Sequence, residues 1–333
     1  MNSFKVNYLT KNNELIAEVD DFIKKWNDDS DCVFTNTSGS TGNPKQIKIQ
    51  KNKMIESAKM TCDFLSINAG ETAVLCLSPK TIAGKMMIVR SIVKGLILYV
   101  VDISSNPFES IDFQVDFIAM VPLQLEKTLE LHSNKLRQVR NCIIGGGDIS
   151  VSLKNQLVKN EITVYHTFGM TETISHVAMR KVGMINESYF QAIGSTYFTE
   201  EENCLVIHST LLDSLSLKTN DIVQLIDNDK FEWKGRADFI INTGGVKIQP
   251  EVVELKLSKW IDFPFFITDK KDELYGQIVV LLIESESQFE LDLQLKEVFS
   301  KYEYPKEVYF LKEFVRTDSG KINRLKTKEL IFK

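Results

Sequence analysis

The chain has 333 residues, 43% hydrophobic and 26% charged, so it can bury a full core and we expect two domains. A net charge of -5 and a pI near 5.6 argue against a general binder of nucleic acids or of anionic membranes. The apolar residues 82–101 include Lys85, Arg90 and Lys94, too many charges for a bilayer span, so we expect no membrane insertion.

The first predicted elements surround a short polar loop. Apolar residues recur at helical spacing from Leu15 to Trp26, which predicts an amphipathic helix over 13–26 that packs on the core. Beyond the loop, polar and apolar residues alternate over 46–49 and indicate a strand. Apolar residues between 54 and 65 then predict a second helix.

The loop between these elements combines two glycines, several hydroxyl side chains and a lysine: Thr37, Ser38, Gly39, Ser40, Thr41, Gly42, Asn43, Pro44 and Lys45. This composition is suited to wrapping a polyphosphate, because glycine allows tight turns and lysine supplies positive charge. It is not a Walker A loop, since Pro44 precedes Lys45 and a strand rather than a helix follows. A hydroxyl-rich turn without a ligand is the alternative.

Alternating strands and helices follow in the middle of the chain. Short apolar runs predict four buried strands: 72–77, 96–101, 115–121 and 142–144. A helix rich in apolar residues lies between the first two, and Pro122 begins another that runs through Leu131. This alternation predicts an α/β fold whose mainly parallel sheet is covered by helices, with ligands at the carboxyl ends of its strands.

The ends of two predicted strands provide candidate site residues. Gly145, Gly146 and Gly147 follow the fourth strand, and their bare backbone lets a flat ring approach, although a plain tight turn is the alternative. A strand over 162–165 precedes an aromatic, a glycine, a threonine and an acid: Phe168, Gly169, Thr171 and Glu172. Such an acid suits a hard cation that bridges phosphates, whereas a surface acid in a loop is the alternative.

The C-terminal part of the chain predicts a smaller unit. Residues 218–221 indicate a turn before a strand over 222–226, because Asn220 tolerates left-handed backbone geometry. The elements predicted further on form an α+β unit: a helix near 250–260, a strand over 277–283, a helix through Leu293, Val298 and Phe299, and a strand over 308–311.

These motifs resemble, in the same order, those of the adenylate-forming superfamily, which includes acyl-CoA synthetases, luciferases and the adenylation domains of peptide synthetases. The matching segments run through nearly the whole chain: 37–45, 166–173, 218–221, 234–254 and 316–324. The resemblance implies a large ATP- and acyl-substrate-binding domain over residues 1–237. It also implies a small, mobile α+β C-terminal lid domain over 238–333.

The resemblance also assigns roles to residues that match the motifs. The loop from Thr37 to Lys45 and the three glycines 145–147 would bind ATP. In the motif that includes Gly169, Phe168 would lie against adenine, Thr171 would contact the α-phosphate and Glu172 would hold Mg²⁺. The nucleotide would further meet two residues from later motifs: Asp221 at the ribose hydroxyls, and Arg236.

The small domain contributes the remaining implied roles. Lys321 would bridge the carboxylate and the α-phosphate, although a solvated lysine near a C-terminus is the alternative. Asp238 would be the hinge between the domains, and Gly244 with Gly245 would line a tunnel for CoA. Catalysis would then rest on positioning and charge neutralisation, without a covalent enzyme nucleophile.

One subgroup matches more closely, because residues 82–87 and 170–176 resemble the o-succinylbenzoate:CoA ligases of menaquinone synthesis. Substrate contacts are then implied for Gly84, Lys85 and His176, with the Lys85 ammonium facing a second carboxylate. Lys85 could instead lie on an exposed helix face. The expected reaction is ATP-dependent acid:CoA ligation with ATP, Mg²⁺ and CoA.

The chain also departs from the superfamily pattern. Asn220 replaces a glycine, residues 314–315 are Phe-Val where Leu-Pro is usual, and only 36 residues precede the phosphate loop. We therefore expect part of the N-terminal region to be absent, which leaves open where the distal end of the acid is held.

Other assignments stay open at this point. The acid could be another aryl or fatty acid, the acceptor could be a carrier protein, or the chain could be a non-catalytic nucleotide-binding remnant. The five cysteines are scattered and stand at no metal-ligand spacing with the four histidines. With no apparent signal peptide, we expect a reduced, cytoplasmic protein whose partners are small molecules rather than nucleic acid, with a homodimer as one option.

Overall fold

The computed structural model describes residues 4–36, 46–261, 263–288, 299–316 and 322–332. The strands of its larger sheet are β1 (Lys5–Tyr8), β4 (Thr72–Leu75), β5 (Ile97–Val100), β6 (Phe117–Met120), β7 (Asn141–Ile144), β8 (Thr163–Gly169), β9 (His176–Gly183), β10 (Phe190–Ala192), β11 (Tyr197–Glu201), β12 (Cys204–His208), β13 (Ser216–Asp227) and β14 (Lys230–Arg236). Helices beside it are α1 (Asn13–Trp26), α2 (Lys51–Phe64), α3 (Ile82–Lys94), α4 (Pro122–Arg137) and α5 (Val151–Lys159). A separate hairpin consists of β2 (Cys32–Asn36) and β3 (Gln46–Gln50).

The large sheet has a parallel half and an antiparallel half. Its order within the described residues is β1-β5-β4-β6-β7-β8-β9-β10-β14-β13-β12-β11. Neighbours from β1 to β8 run parallel, and every pair from β8 onward runs antiparallel. The carboxyl ends of β4, β6, β7 and β8 therefore meet at one edge of the sheet.

Alternating side chains of the parallel strands pack in two separate hydrophobic cores, one on each face of the sheet. On β4, Ala73 and Leu75 pack with the apolar faces of α1, α2 and α3, whereas Val74 packs on the other face of the sheet with α4 and α5. This is the period-two alternation of a strand that is buried on both sides. The α/β class with a helix-covered sheet, expected from the sequence, is confirmed.

The amphipathic helix over 13–26 is also confirmed. The Asn12 side chain caps α1 by accepting hydrogen bonds from the backbone amides of Glu14 (3.0 Å) and Leu15 (3.2 Å). Leu15, Val19, Phe22 and Trp26 are buried in the core. No helix among the described residues is long and apolar enough to cross a membrane.

A small sheet follows the large one in the chain. It comprises β15 (Ile241–Thr243), β16 (Val246–Ile248), β17 (Phe265–Asp272), β18 (Gly276–Glu284) and β19 (Glu307–Leu311), with helices α6 (Pro250–Leu257) and α7 (Arg324–Ile331). Its order is β16-β15-β18-β17, and β19 pairs with β18. The helix predicted through Leu293 and Val298 falls in 289–298, outside the described ranges. The domain boundary after residue 237 stays a prediction.

Several predicted boundaries were wrong. The strand predicted over 162–165 runs to Gly169, because residues up to Gly169 pair with β9. Residues 218–221, predicted as a turn, lie inside β13, and Asn220 has no positive φ. They pair with both neighbours, Lys218 opposite Val206 and Asp221 opposite Arg236, so strand pairing overrides the local turn preference.

Two helices also end where the sequence did not predict. Helix α4 continues past Leu131 to Arg137, with a local break in helical geometry at His132 (φ -141°, ψ 34°). Helix α6 stops at Leu257 rather than near residue 260. A helical pattern fixes the face of a helix better than its last turn, where tertiary contacts decide.

Candidate functional site

The triple glycine lies directly after β7, beside the end of β8. Thr167 Oγ1 donates a hydrogen bond to the Ile144 carbonyl (3.0 Å), and a Cβ on Gly145 would come within 2.9 Å of that hydroxyl oxygen. Gly146 has φ +79°, which favours glycine, and it is exposed. A bare, outward-facing stretch of backbone therefore lies at the carboxyl edge of the parallel strands.

Phe168 lies on the last part of β8, next to this turn. Its ring is half-buried and contacts Phe231 at 5.0 Å and Phe190 at 5.6 Å between centroids. Gly169 follows it so closely packed on β9 that a Cβ there would come within 2.8 Å of the His176 amide nitrogen. The aromatic wall is therefore held by the antiparallel half of the sheet.

Glu172 sits in the turn that joins β8 to β9. The Thr173 side chain braces this turn: its hydroxyl oxygen accepts from the Met170 amide (3.0 Å) and donates to the Ser175 carbonyl (2.6 Å). The Ile174 amide donates to the Thr171 carbonyl (2.9 Å). Glu172 itself is exposed and makes no hydrogen bond or ion pair with another described residue.

This turn fits a Mg²⁺ ion that binds together with a nucleotide. Mg²⁺ usually takes one or two protein carboxylates and completes its shell with phosphates and water, rather than using an all-protein cage. A single carboxylate that makes no hydrogen bond or ion pair with the described residues, on a braced turn, meets that requirement. The described ranges contain no cluster of three His, Cys, Asp or Glu residues that could hold a metal ion.

Three candidate residues from two motifs, Asp221, Arg236 and Asp238, lie close together where β13 pairs with the end of β14. The buried Asp221 accepts a hydrogen bond at Oδ1 from the Trp233 indole (2.9 Å), and Arg236 Nη1 lies 3.8 Å from the same oxygen. Arg236 Nη2 donates to Asp238 Oδ2 (2.7 Å), while Asn220 Nδ2 donates to Asp238 Oδ1 (2.9 Å). Asp221 Oδ2 receives no hydrogen bond from the described residues.

Gly84 and Lys85 lie at the start of α3, where the chain returns close to the end of β4. A Cβ on Gly84 would overlap the Ser78 carbonyl oxygen, so the first turn of the helix packs on backbone. Lys85 is 9% exposed; its ammonium donates to the Lys80 carbonyl (2.8 Å) and lies 6.0 Å from the Phe22 ring centre. Burial, with a smaller effect of nearby Lys25, lowers the pKa of Lys85.

His176, expected at the substrate site, belongs to a buried polar group that the sequence analysis did not recognise. Arg90 is 2% exposed, and its Nη2 donates to Ser175 Oγ (2.8 Å). His176 Nε2 lies 2.9 Å from Thr61 Oγ1. Burial, and secondarily the Arg90 charge, lower the pKa of His176, so the ring is neutral near pH 7.

Arg90 has no carboxylate partner among the described residues. Its Nε atom is buried without a hydrogen bond, and burial lowers the pKa of the guanidinium to about 10. An arginine inside the apolar run of α3 was visible in the sequence. The sequence does not show where the Arg90 side chain points, because that depends on how α3 packs on α2 and β9.

The remaining predicted residues lie in or next to the small domain, or in the loop between β2 and β3. Gly244 and Gly245 form the turn between β15 and β16, with φ +58° and +82°, and Gly244 packs on the Tyr275 and Tyr302 rings. The predicted ATP-binding residues Thr37 to Lys45, and Lys321, lie outside the described residues. Their flanks are fixed, since Asn36 pairs with Gln46 and Arg316 pairs with Ile322.

The chain is similar to proteins of one known family. The family profile "AMP-binding enzyme" matches residues 4–201. The 2-succinylbenzoate--CoA ligase of Listeria monocytogenes is 25% identical, with 94% of this chain aligned to 74% of that protein. The 2-succinylbenzoate--CoA ligase of Haemophilus influenzae is 26% identical, and the alignment covers 82% of this chain but only 64% of that one.

Solved structures agree with the fold. An acyl-CoA synthetase (AMP-forming)/AMP-acid ligase II-like protein from Dyadobacter fermentans is 32% identical, with a TM-score of 0.65 over 96% of this chain and 95% of that one. An O-succinylbenzoate coenzyme A synthetase from Bacillus subtilis, in complex with ATP and magnesium ion, is 20% identical with a TM-score of 0.74; 89% of this chain matches 69% of that chain. The superfamily resemblance and the fold that it implied are confirmed.

Proposed function

We propose that this chain, which belongs to the AMP-binding enzyme family, uses ATP to convert a carboxylic acid into an acyl-adenylate and then into a CoA thioester. The observation that carries the proposal is the position, at one edge of the sheet, of the triple glycine, Phe168 and Glu172, whose carboxylate is exposed. Each of these features has a use in handling a nucleotide polyphosphate. Ligands bind at this edge in open α/β sheets.

The nucleotide lies across the carboxyl edge in this proposal. The adenine ring fits between Phe168 and the bare backbone of the triple glycine, where only glycine lets a flat ring approach so closely. Asp221 offers its uncommitted Oδ2 to the ribose hydroxyls, while Trp233 and Arg236 hold Oδ1. A carboxylate with one fixed and one uncommitted oxygen suits a vicinal diol.

The phosphates would be held by charge and by hydroxyl groups. Glu172 would hold Mg²⁺, which when bound neutralises negative charge on the phosphates. Thr171 would contact the α-phosphate, and the residues from Thr37 to Lys45 would bind the other phosphates. Lys321 would bridge the acid carboxylate and the α-phosphate with its ammonium group.

No enzyme nucleophile is required for the two half-reactions. An oxygen of the acid carboxylate forms a bond to the α-phosphorus, and the bond to the leaving pyrophosphate breaks. In the second step the CoA thiolate attacks the acyl carbon and AMP leaves. The chain contributes positioning and charge compensation, which are effective because the groups are fixed before the reaction.

For the acid itself we propose 2-succinylbenzoate, as in the names of the relatives from Listeria and Haemophilus. This molecule has a second carboxylate that does not react and requires a cation. Two cations on α3 are buried, Lys85 and Arg90. Their positions on the helix, five residues apart, point them to different neighbours.

Contacts favour Arg90 over Lys85 for this carboxylate. The Lys85 ammonium is turned toward the Lys80 carbonyl and the Phe22 ring of α1. Arg90 instead reaches Ser175, in the turn that also contains Glu172, and its buried Nε has no hydrogen-bond partner among the described residues. A guanidinium that lacks a carboxylate can bind one through two parallel hydrogen bonds.

The test is pyrophosphate release from ATP with 2-succinylbenzoate, with benzoate and a fatty acid as comparison substrates. We expect turnover with 2-succinylbenzoate above the other two, followed by a thioester when CoA is added. Release with another acid only would reassign the substrate, and transfer to a carrier protein but not to CoA would reassign the acceptor. Binding of ATP without pyrophosphate release from any acid would leave a nucleotide-binding module.

A matched pair of variants separates the two cations. Arg90→Met and Lys85→Met each remove one charge from α3 and put an unbranched apolar side chain in its place. If Arg90 faces the second carboxylate, Arg90→Met raises the KM for 2-succinylbenzoate by roughly tenfold or more, with the KM for ATP unchanged. An effect of that size in Lys85→Met alone would select Lys85.

The cytoplasmic location and a homodimer stay predictions.

A further inference from the structure

His166 lies under the triple glycine, yet no motif assigned it a role. It faces Ile144 across the β7–β8 pair and is 7% exposed. Its Nε2 lies 3.1 Å from the Gly147 carbonyl oxygen, and its Nδ1 lies 3.1 Å from Arg180 Nη2. Both ring nitrogens are therefore engaged, one by the glycine turn and one by β9.

These contacts fix the proton on the ring. A guanidinium can only donate, so Nδ1 must accept the hydrogen bond from Arg180. Nε2 then carries the hydrogen and donates it to the Gly147 carbonyl, which can only accept. Burial lowers the pKa of His166 although the nearby Asp148 carboxylate raises it, so the ring is neutral near pH 7 and carries a single hydrogen.

Further contacts hold the residue that follows the glycine turn. Asp148 follows Gly147 in the chain, and its Oδ1 lies 3.6 Å from Arg180 Nη2. Arg180 also packs over the Phe190 ring at 4.5 Å. The backbone of Gly147 is thus held from its carbonyl through His166, and from the next residue through Asp148. Three successive glycines would otherwise have wide conformational freedom.

The same network reaches the opposite wall of the proposed adenine slot. His166 and Phe168 are two residues apart on β8 and share one face of the strand. The Phe190 ring contacts both, at 5.4 Å from His166 and 5.6 Å from Phe168 between centroids. His166 therefore links the glycine turn to the aromatic side chain that faces it.

We propose that His166 is a positioning residue for the nucleotide: its Nε2–H holds the Gly147 carbonyl and thereby sets the width of the slot between the triple glycine and Phe168. This inference rests on the proposed function, since the slot is where adenine would lie. His166 acts through the turn and does not touch the reacting atoms. Its loss should weaken binding of the nucleotide and leave affinity for the acid unchanged.

Two substitutions of His166 each keep one of the two hydrogen bonds of the imidazole. A glutamine amide nitrogen reaches the position of Nε2 and can still donate to Gly147. An asparagine oxygen reaches the position of Nδ1 and can still accept from Arg180, but it leaves the Gly147 carbonyl without a donor. Both remove the imidazole, so they share any loss of aromatic packing against Phe190.

The experiment measures the Kd of AMP by calorimetry, together with the KM for the acid and the melting temperature. We expect His166→Asn to bind AMP roughly three- to tenfold more weakly, the loss of about one hydrogen bond, while His166→Gln stays within about twofold of the parent. The KM for the acid should change in neither variant. His208→Asn, a histidine bonded to Thr199 on the far strands, is the control and should match the parent.

Other results would overturn the inference. Equal weakening in both variants would show that the ring matters only for packing, and parent-like binding by His166→Asn would show that the Gly147 contact is dispensable. A parent protein that binds AMP but makes no thioester would refute the proposed ligase activity, and the variant series would still decide the role of His166. A parent that binds no nucleotide would overturn both.

Discussion

The carboxylate of Glu251 covers Gly235, at the junction between the last strand of the large sheet and the first helix of the small domain. A Cβ on Gly235 would come within 2.5 Å of Glu251 Oε2 and of Gln249 Nε2, and the glycine has φ +140°. Both of those side-chain atoms are buried without a hydrogen-bond partner among the described residues. The contact between β14 and α6 therefore contains a buried carboxylate oxygen that receives no hydrogen bond from the described residues.

This carboxylate should make stability depend on pH. Burial raises the pKa of Glu251 from 4.5 to about 7, with Arg324 lowering it and Glu254 raising it to smaller extents. The folded state binds the proton more tightly than the unfolded chain does. The contribution of Glu251 to stability is therefore complete below the unfolded pKa and is lost as the pH rises through the folded pKa.

We expect Glu251→Gln to be more stable than the parent at about pH 8, by on the order of 2 to 3 kcal/mol, and close to it below about pH 5. Urea denaturation of both proteins at the two pH values measures the difference. Glu200→Gln, at an exposed carboxylate, serves as the control and should track the parent. A Glu251→Gln difference that is the same at both pH values would contradict the assignment.

Gly84→Ala should be strongly destabilising. A Cβ at this position overlaps the Ser78 carbonyl oxygen and comes within 2.9 Å of the Leu77 carbonyl oxygen, so backbone must move. We expect a loss of about 3 kcal/mol in the free energy of unfolding, measured by denaturant titration. Gly245→Ala is the control: nothing lies within 4 Å, and only its φ of +82° is unfavourable. Its expected cost is about 1 kcal/mol, and equal costs would count against the packing argument.

Trp233→Phe tests the ribose site. The substitution removes the indole donor that holds Asp221 Oδ1 at 2.9 Å but retains an aromatic ring. We expect AMP to bind roughly three- to tenfold more weakly, because the carboxylate is less well positioned, with the KM for the acid unchanged. Trp260→Phe, at an exposed position in the small domain, should leave AMP binding at the parent level. A parent-like Kd for Trp233→Phe would separate the Trp233–Asp221 pair from nucleotide binding.

Asp238→Pro tests whether the small domain rotates between the half-reactions. Proline fixes φ near -65° and removes an amide donor, so it should trap one orientation of the domain. We expect pyrophosphate release to persist and acyl-AMP to accumulate, with little thioester. Asp238→Ala removes the hydrogen bonds to Asn220 and Arg236 but leaves the backbone free, and should still make thioester. Thioester formation at the parent rate in Asp238→Pro would exclude this pivot.

Lys321→Ala tests the division of labour between the two steps. If Lys321 bridges the attacking carboxylate and the α-phosphate, its loss should slow adenylation by about a hundredfold or more. Thioester formation from supplied acyl-AMP should survive. Separate assays of the two half-reactions measure this, with Lys326→Ala as the control on the neighbouring helix α7. Equal loss in both half-reactions would indicate a structural lysine.

Local sequence patterns predicted much of the fold because they report nearby interactions. The helix over 13–26 follows from the spacing of Leu15, Val19, Phe22 and Trp26, whose side chains share one face whatever lies beyond. The parallel strands stand out as short apolar runs, because a strand that is buried on both faces needs apolar side chains on both. The end of β8 could not be read in this way, because the last residues of the strand are set by pairing with β9.

The motifs by themselves determined the family and the superfamily fold, and they identified Phe168 and Glu172 as candidate site residues, because a requirement for an aromatic ring or an acid is visible in the residue type. Tertiary structure decided the rest. Asn220 lies in a strand because both neighbouring strands pair with its segment. Arg90 contacts Ser175, and His166 contacts the Gly147 carbonyl, because packing brings together residues that are 85 and 19 positions apart. Contacts over such separations depend on helix rotation and strand order, which no local pattern encodes.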